Sequence, residues 1–512
     1  MSIPFEIHAP AADKPEPLYT TLREGFQSAG YTRAALCAHL ELRSFTELFE
    51  GRVLDAYSTL IDSPFTALCQ VFILGRAVEP ILLRSNLGDA FVDAAIEVGL
   101  LVPFTVEEVS ALLATACLYP VEDLWIASDR IAQLPGSTDT KPRKDVVYPA
   151  ATHSVENFLN LMPRLRYGRF LEACGGCGPA ALLAGRFSDK SIASDLEPRS
   201  AAFAAFNGRL QGLTNFHSIA GSYYEGAEGQ FDCIAAHPPY MPSLDSVETY
   251  YGGGIDGSEV LRGLLSPLQE KLAPGGYFYA VSTVPRKENG SYTQQVRQWI
   301  AGDTSTLDVG VFVLSTFSMY MLSLSTAVKG NRGHSFQSRL LKAWQDLGYA
   351  EFALAAILVR RHDDETNATN CQRISTDSTT WEDLIHALHW EKRAREPETL
   401  AALMENPLGL PESFRIQSTH VAAEGALHSI QVRAQVEEAF KSEAAIEEWM
   451  SYLFARVDGE KTGTDLMVSL LEDGVLLPDT PPVQFAQLLA SFVGAGLVAS
   501  PVYAQLPESR GV

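Results

Sequence analysis

The chain has less positive charge than is usual for a protein that binds nucleic acid. Its 512 residues carry 39 Lys and Arg against 62 Asp and Glu, which gives a formal net charge of −23 at pH 7. Proteins that bind a phosphate backbone usually present a basic face, and the only compact basic run here is Lys141-Pro-Arg-Lys144. The composition therefore predicts no affinity for duplex DNA and argues against an RNA substrate.

Long apolar runs and a cysteine framework are also missing. No apolar stretch is long enough to span a bilayer, and the N-terminus lacks the basic start and apolar core of a signal peptide. The seven cysteines are an odd set without framework spacing, which fits a reducing compartment. No second pair follows Cys174 and Cys177 at metal spacing, so we expect no metal site. These absences predict a cytoplasmic protein that binds no membrane.

What is present is enough for several folded units. An apolar content of 46% is ordinary, and a chain of this length predicts two to four domains. Residues 1–135 carry apolar side chains at three- and four-residue spacing and predict a helical N-terminal domain. The predicted helices are Pro17–Ala29, Thr32–Leu40, Pro64–Leu74, Leu87–Val98 and Thr105–Cys117.

A glycine-rich turn follows a short apolar strand that ends near Phe170. Gly176 and Gly178 let the backbone turn tightly and approach a ligand, and Pro179 suits the first position of the helix that follows. A second strand ends at Asp195. A strand, a glycine-rich turn and a helix followed by an acid is the layout that binds a nucleoside-containing cofactor. The alternative is a plain turn between core strands, with Asp195 as a helix cap.

A later strand runs from Phe231 into the sequence His237-Pro-Pro-Tyr240. The two prolines restrict the backbone, so His237 is held extended. A neutral imidazole can accept a proton near pH 7. His237 is therefore a candidate base or positioning group, and the alternative is that it only orders the loop.

In this order the motifs resemble those of class I S-adenosylmethionine-dependent methyltransferases. The loop spacing runs from Glu172 through Cys174 and Gly176 to Gly178, with Cys174 where that family usually has glycine. The His-Pro-Pro-Tyr sequence is similar to the Asn-Pro-Pro-Tyr motif of the release-factor glutamine and small-subunit rRNA methyltransferases. The resemblance implies S-adenosylmethionine as the cofactor and an α/β, Rossmann-like sheet of seven strands over residues 136–365.

The resemblance also implies roles for individual residues. Glu172 is placed near the methionine end of the cofactor and Asp195 at the ribose hydroxyls, while Ser222 stands where the family often has an adenine-contacting Asp. The implied cofactor-binding residues are Glu172, Cys174, Gly176, Gly178, Asp195, Ser222 and His237. The implied catalytic residues are His237 and Tyr240, and the implied substrate-binding residues are Pro238, Pro239 and Tyr240.

The histidine in place of asparagine changes the expected acceptor. Because His237 lacks the amide that holds a planar NH2 group, we expect an amine or hydroxyl on a small molecule, peptide or protein side chain. N-methylation of a protein glutamine or a nucleobase is the alternative. A methyltransferase-like binding protein without activity is the alternative of another class.

The flanking segments are less specific. Trp125-Ile-Ala-Ser-Asp129 is similar to the end of the N-terminal domain in a bacterial methyltransferase group, where that domain shapes the substrate entrance; a scaffold is the alternative. Residues 366–430 predict a linker and accessory segment. Residues 431–512 predict a winged-helix-like module with a last strand at Leu497–Tyr503. Its third helix has no Lys or Arg, which favours packing, a homodimer contact or peptide docking over DNA binding.

Overall fold

A computed structural model describes most of the chain, in eight ranges: 9–49, 60–106, 109–129, 145–244, 252–329, 332–362, 367–423 and 425–503. The basic run at 141–144 lies outside the described residues. The chain divides into two compact units, Met1–Thr283 with Ser323–Leu347, and Val284–Leu322 with Gly348–Val512. The four-part division drawn from the sequence, at residues 135, 365 and 430, stays a prediction.

The first unit begins with helices, the first of which buries an apolar stripe. α1 buries Tyr19, Leu22 and Phe26 at helical spacing. A 3-10 turn at Phe45–Phe49 and a π-helical turn at Cys69–Ile73 accompany these helices. The helices are α1 (Glu16–Ser28), α2 (Arg33–His39), α3 (Pro64–Leu68), α4 (Pro80–Leu87) and α5 (Asp89–Glu97).

The prediction of a helix over Thr105–Cys117 was wrong, because two antiparallel hairpins follow the helices. Their strands are β1 (Leu101–Val106), β2 (Val109–Ala114), β3 (Cys117–Val121) and β4 (Leu124–Ser128). Residues 111–121 are buried without a break. A short, continuous apolar run fits a buried strand as well as a helix, so residue spacing cannot separate the two.

The central part of the first unit is a parallel sheet with helices in the crossovers. Its strands lie in the order β9-β8-β5-β6-β7, and each neighbouring pair is parallel. β5 is therefore the switch point of the sheet, where ligands bind beyond the carboxyl ends of the strands. The elements are α6 (His153–Asn160), β5 (Tyr167–Ala173), α7 (Pro179–Ala184), β6 (Ser188–Asp195), α8 (Pro198–Leu210), β7 (Phe216–Ala220), β8 (Phe231–Ala236), α9 (Glu259–Leu265), α10 (Leu268–Lys271) and β9 (Leu272–Lys287).

The remaining elements complete the first unit and form the second. α13 belongs to the first unit, and α12 runs across the division. The elements are α11 (Tyr292–Gln298), β10 (Leu307–Ser318), α12 (Met319–Lys329), α13 (His334–Asp346), β11 (Tyr349–Arg361), β12 (Asn370–Ser375), α14 (Trp381–Arg393), α15 (Pro397–Glu405), β13 (Arg415–Ala423), β14 (Ala426–Glu437), β15 (Phe440–Ile446), α16 (Glu448–Phe454), α17 (Gly463–Glu472) and α18 (Pro482–Gly494).

The second unit pairs its own strands in the order β13-β14-β15-β12-β10-β11. β10 is antiparallel to β11 and parallel to β12. The chain is thus mixed α/β with extensive sheet structure, whereas the expected count of seven strands stays a prediction. None of the helices in the described ranges is long and apolar enough to cross a membrane.

The C-terminal part of the second unit is helical and well packed. β12 lies inside the polar stretch for which the sequence indicated a linker, and α14 and α15 share an apolar core with α16, α17 and α18. The predicted strand at Leu497–Tyr503 was wrong, since only Ala499 forms a bridge, with Gly409. Leu497, Val498 and Val502 are buried in the helical core, so the apolar pattern of this segment reflects packing against helices and not a strand. The winged-helix assignment stays a prediction.

Candidate active site

A cavity of about 650 Å³ opens at the carboxyl ends of β5, β6 and β8 in the first unit. The sequence-predicted residues that line it are Glu172, Cys174, Gly176, Asp195, Ser222, His237, Pro238, Pro239 and Tyr240. Gly178 is not among the lining residues. The fold therefore brings the three separate sequence motifs to one place and leaves Gly178 outside it.

Gly176 and Gly178 of the glycine-rich loop have different structural roles. Gly176 has φ +55°, and a Cβ added there would meet no atom within 4 Å, so its backbone is open to a ligand. Gly178 has φ +82°, and its Cβ would lie 3.2 Å from that of Ala204 and 3.3 Å from that of Ala193. Gly178 thus allows close packing of the loop against β6 and α8.

Cys174 stands where the resembled motif usually has glycine, and it adopts a left-handed backbone conformation. Its φ is 56°, a conformation that costs an L-residue about 1–2 kcal/mol. The loop therefore keeps its turn despite the substitution. Burial raises the pKa of the Cys174 thiol well above its usual value, so this cysteine is no thiolate nucleophile at neutral pH.

Glu172 stabilises the start of α7. Its buried carboxyl oxygen Oε2 accepts a hydrogen bond of 2.8 Å from the backbone N–H of Ala181. Burial raises the pKa of Glu172 to about 8, against the opposing effect of the hydrogen bonds from Ala181 and Ala180. One oxygen is thus committed to the helix N-terminus, and the contact with a methionine moiety stays a prediction.

Asp195 ties the glycine-rich loop to the end of β6. Its Oδ2 accepts from the N–H of Gly176 at 2.8 Å, and its Oδ1 accepts from the N–H of Glu197 at 3.0 Å. Burial raises the pKa of Asp195, opposed by the hydrogen bonds from these two N–H groups and from Ser200. A carboxylate has about four acceptor positions, so Asp195 retains room for a ribose hydroxyl while it holds the loop.

The predicted adenine side is more apolar than Ser222 suggested. Ser222 is exposed, and its N–H donates to Glu225 at 3.2 Å. Leu196 and Tyr223 line the cavity with exposures of 55% and 38%, which offers apolar surface to a flat ring. No sequence motif marks either residue, although each directly follows a predicted contact, Asp195 or Ser222.

The imidazole of His237 is held in an aromatic setting. Its ring stacks on Phe158 at 5.2 Å with an interplanar angle of 13°, and its centroid lies 5.6 Å from that of Tyr240. Within the described part of the chain, its buried Nε2 atom has no hydrogen-bond partner. Burial lowers the pKa of His237 to about 4. The imidazole is therefore neutral at pH 7 and weaker as a base than an ordinary histidine.

A glycine loop supports the backbone of the His-Pro-Pro-Tyr segment. The N–H of Gly253 donates to the carbonyl of Met241 at 2.9 Å, and a Cβ at Gly257 would lie only 2.2 Å from the carbonyl oxygen of Tyr240. Buried Asp256 accepts from Arg262 at 2.8 Å and holds the next turn. These contacts show that residues 253–257 support the backbone of the segment.

The Trp125-to-Asp129 stretch lies behind the site and not on the cavity wall. The side chain of Asn207 accepts from the N–H of Ala127 at 2.8 Å and donates to the carbonyls of Ala127 and Cys177, each at 3.0 Å. Asp129 forms a buried ion pair with Arg199. These contacts join β4 to the glycine-rich loop and give the stretch a scaffold role in the first unit.

The residues that line the cavity suit the chemistry of S-adenosylmethionine. The open Cβ position of Gly176 leaves room against the backbone, the Asp195 carboxylate supplies an acceptor, and Leu196 and Tyr223 supply apolar surface. Such a site, with few polar groups in an apolar cleft, is typical of cofactor binding. Across the described ranges, no group of three or more His, Cys, Asp or Glu residues is arranged to hold a metal ion.

Comparison with known proteins gives partial matches to methyltransferases, and no family model matches the chain. The release factor glutamine methyltransferase of Deinococcus radiodurans is 30% identical over 130 residues, which is 23% of this chain and 46% of that protein. The enzyme of the same name from Rhodospirillum rubrum is 31% identical over 128 residues, 21% of this chain and 39% of that protein. The chain thus spans less than half the length of these relatives. The similarity supports a methyltransferase that uses S-adenosylmethionine, as the motifs predict.

Solved structures give weaker likenesses. The protein SMU.776, solved in complex with S-adenosylhomocysteine, is 13% identical, with 54% of this chain and 67% of that chain covered and a TM-score of 0.28. YcgJ from Bacillus subtilis is 14% identical, with 41% and 99% covered and a TM-score of 0.27. Both TM-scores are below 0.5, so neither likeness establishes a shared fold.

Proposed function

We propose that this chain transfers a methyl group from S-adenosylmethionine to the side-chain amide nitrogen of a protein glutamine. The observation that carries the proposal is the neutral, stacked imidazole of His237 on the wall of the cavity that the glycine-rich loop also lines. The names of the partly matched relatives, which are glutamine methyltransferases, support the same acceptor. The proposal replaces the amine or hydroxyl that the sequence alone favoured.

The proton affinity of His237 is the reason for this change. The pKa of His237 is about 4, whereas that of an ammonium group is about 10.4. Proton transfer from an ammonium group to His237 is therefore unfavourable by about six pKa units. A hydroxyl is still harder to deprotonate. A neutral amide needs no prior deprotonation and needs only hydrogen-bond partners that fix its plane. A neutral imidazole supplies one donor and one acceptor.

The methyl transfer follows from alignment. The bound cofactor supplies an electrophilic methyl group on a sulfonium; the new bond forms to the amide nitrogen as the sulfur–carbon bond breaks. The nitrogen then gives up one proton to water. Residues of the chain hold the parts: Asp195 fixes the glycine-rich loop, His237 and the carbonyl of Pro238 orient the amide, and the ring of Tyr240 covers its face. Proximity and orientation of this kind are worth up to about 7–11 kcal/mol of the barrier.

The test is methyl transfer with mass-spectrometric readout. The purified chain is incubated with S-adenosylmethionine and a bacterial release factor, or with synthetic peptides that differ only in carrying glutamine, lysine or serine at one position. We expect a single added methyl group on glutamine. His237→Asn retains or increases this activity, because asparagine offers the same two kinds of hydrogen bond. Methylation confined to the lysine or serine peptide would contradict the amide assignment.

A further inference from the structure

The His237 imidazole is one member of a stack of three rings. Phe158 is stacked with it at a centroid distance of 5.2 Å and an interplanar angle of 13°, and Tyr279 is stacked with Phe158 at 5.4 Å and 12°. Phe158 and Tyr279 are both fully buried. The rings come from the end of β8, from α6 and from β9, so three separate elements meet at this point.

One hydrogen bond joins Tyr279 to the backbone of Phe158, the residue that carries the middle ring. The hydroxyl of Tyr279 donates to the backbone carbonyl of Phe158 at 2.9 Å. Phe158 belongs to the last turn of α6, where carbonyl groups lack a partner within the helix. The hydroxyl therefore satisfies an acceptor that the helix leaves open and fixes the distance between α6 and β9.

Stacking alone would allow the imidazole to slide across Phe158, but the backbone around His237 restricts this movement. Pro238 and Pro239 restrict the chain that follows His237, and the tilted ring of Tyr240 lies 5.6 Å from the imidazole. These contacts hold the imidazole ring in one orientation, parallel to the ring of Phe158. Among the residues that the structure describes, its buried Nε2 atom has no hydrogen-bond partner, and a bound group can complete such an atom.

We propose that Phe158 and Tyr279 are positioning residues that set the plane of the His237 imidazole for methyl transfer. The proposal rests on the proposed function for its reaction, whereas the ring geometry itself can be tested without activity. It adds two residues that no sequence motif marks, since Phe158 reads as one apolar position of a helix and Tyr279 as one residue of an apolar strand.

The experiment compares Phe158→Leu and Tyr279→Phe with a matched control, Phe278→Leu. Phe278 neighbours Tyr279 on β9 and is equally buried, but successive strand residues point to opposite faces. The first readout is the ring signal of His237 in protein labelled with ¹³C-histidine, assigned by its loss in His237→Asn. We expect Phe158→Leu to move this signal and to raise its titration midpoint by about one pH unit or more, while Phe278→Leu leaves it unchanged.

The second readout is turnover on the glutamine substrate, with cofactor affinity measured in parallel. We expect kcat to fall about 10²-fold in Phe158→Leu, as misplacement of a reacting group does, and about tenfold in Tyr279→Phe. The affinity for S-adenosylhomocysteine stays within about twofold of the wild type. An unchanged His237 signal in Phe158→Leu, or an equal loss of kcat in Phe278→Leu, overturns the positioning role. A shifted signal in a protein that methylates no glutamine instead upholds the ring geometry and overturns the proposed acceptor.

Discussion

Replacing His237 by asparagine should change how the stability of the first unit depends on pH. Burial lowers the pKa of His237 from 6.5 to about 4, so protons bind the unfolded chain more readily than the folded one. The free energy of unfolding therefore falls as the pH drops below about 6.5, and the loss is complete only below about pH 4. An asparagine side chain does not titrate in this range, so the His237→Asn variant lacks this contribution.

The size of the effect follows from the shift. A difference of about 2.5 pKa units corresponds to about 3 kcal/mol when fully developed, and to about 2 kcal/mol at pH 5. This free energy is an upper limit, because part of the His237 ring borders the cavity. Other titrating groups, such as Glu172 with its raised pKa, contribute equally to both proteins and cancel in the difference.

The assay is urea unfolding of the wild type and His237→Asn at several pH values between 7.5 and 5, followed by fluorescence. Trp125 and Trp344 lie in the first unit and the other four tryptophans in the second, so the emission follows both units, and the part of the transition that differs between the two proteins is assigned to the first unit. We expect the wild type to lose up to about 2 kcal/mol relative to the variant across this range. A difference that stays constant within about 0.5 kcal/mol would refute the reasoning, because it means that His237 titrates alike in both states.

Further predictions follow from the loop and from the neutral imidazole. Gly178→Ala should lower stability by about 1–3 kcal/mol through backbone strain and crowding against Ala204, which thermal unfolding measures; cofactor affinity should change little. Gly176→Ala should cost only the strain of about 1–2 kcal/mol but weaken S-adenosylhomocysteine binding by tenfold or more, because its Cβ projects where the backbone is open to a ligand. Cys174→Gly should stabilise the chain by up to about 1 kcal/mol by removing the left-handed strain at φ 56°; a clear loss of stability speaks against that strain. The kcat on glutamine should stay flat between pH 5.5 and 8, and a fall through pH 6.5 that disappears in His237→Asn would restore a basic role for the imidazole.

The sequence could predict the site because its motifs are local. The glycine-rich loop, Asp195 and His237-Pro-Pro-Tyr240 each follow a strand, and the carboxyl ends of parallel strands meet at one edge of a sheet. Their convergence on one cavity follows from topology alone. The cofactor contacts of Gly178 and Glu172 stay predictions, and the sequence did not indicate that Gly178 packs against Ala204 or that Glu172 accepts a hydrogen bond at the start of α7.

The properties that come from tertiary contacts could not be predicted. The low pKa of His237 depends on burial beside Phe158, a residue far away in the chain. Strand residues within 105–117 were mistaken for a helix because residues 111–117 are buried without a break, which hides the alternation that marks a half-exposed strand. The core formed with α14 and α15 was missed because a polar stretch precedes these helices.

The most direct test of the central claim is calorimetric titration of S-adenosylhomocysteine into the wild type and Asp195→Ala. We expect a single site in the wild type. We expect a loss of at least tenfold in the affinity of the variant, because one charge-assisted ribose hydrogen bond is worth about 1.5–3 kcal/mol and the loop N–H of Gly176 also loses its acceptor. No binding by the wild type, or equal binding by both proteins, would contradict the account.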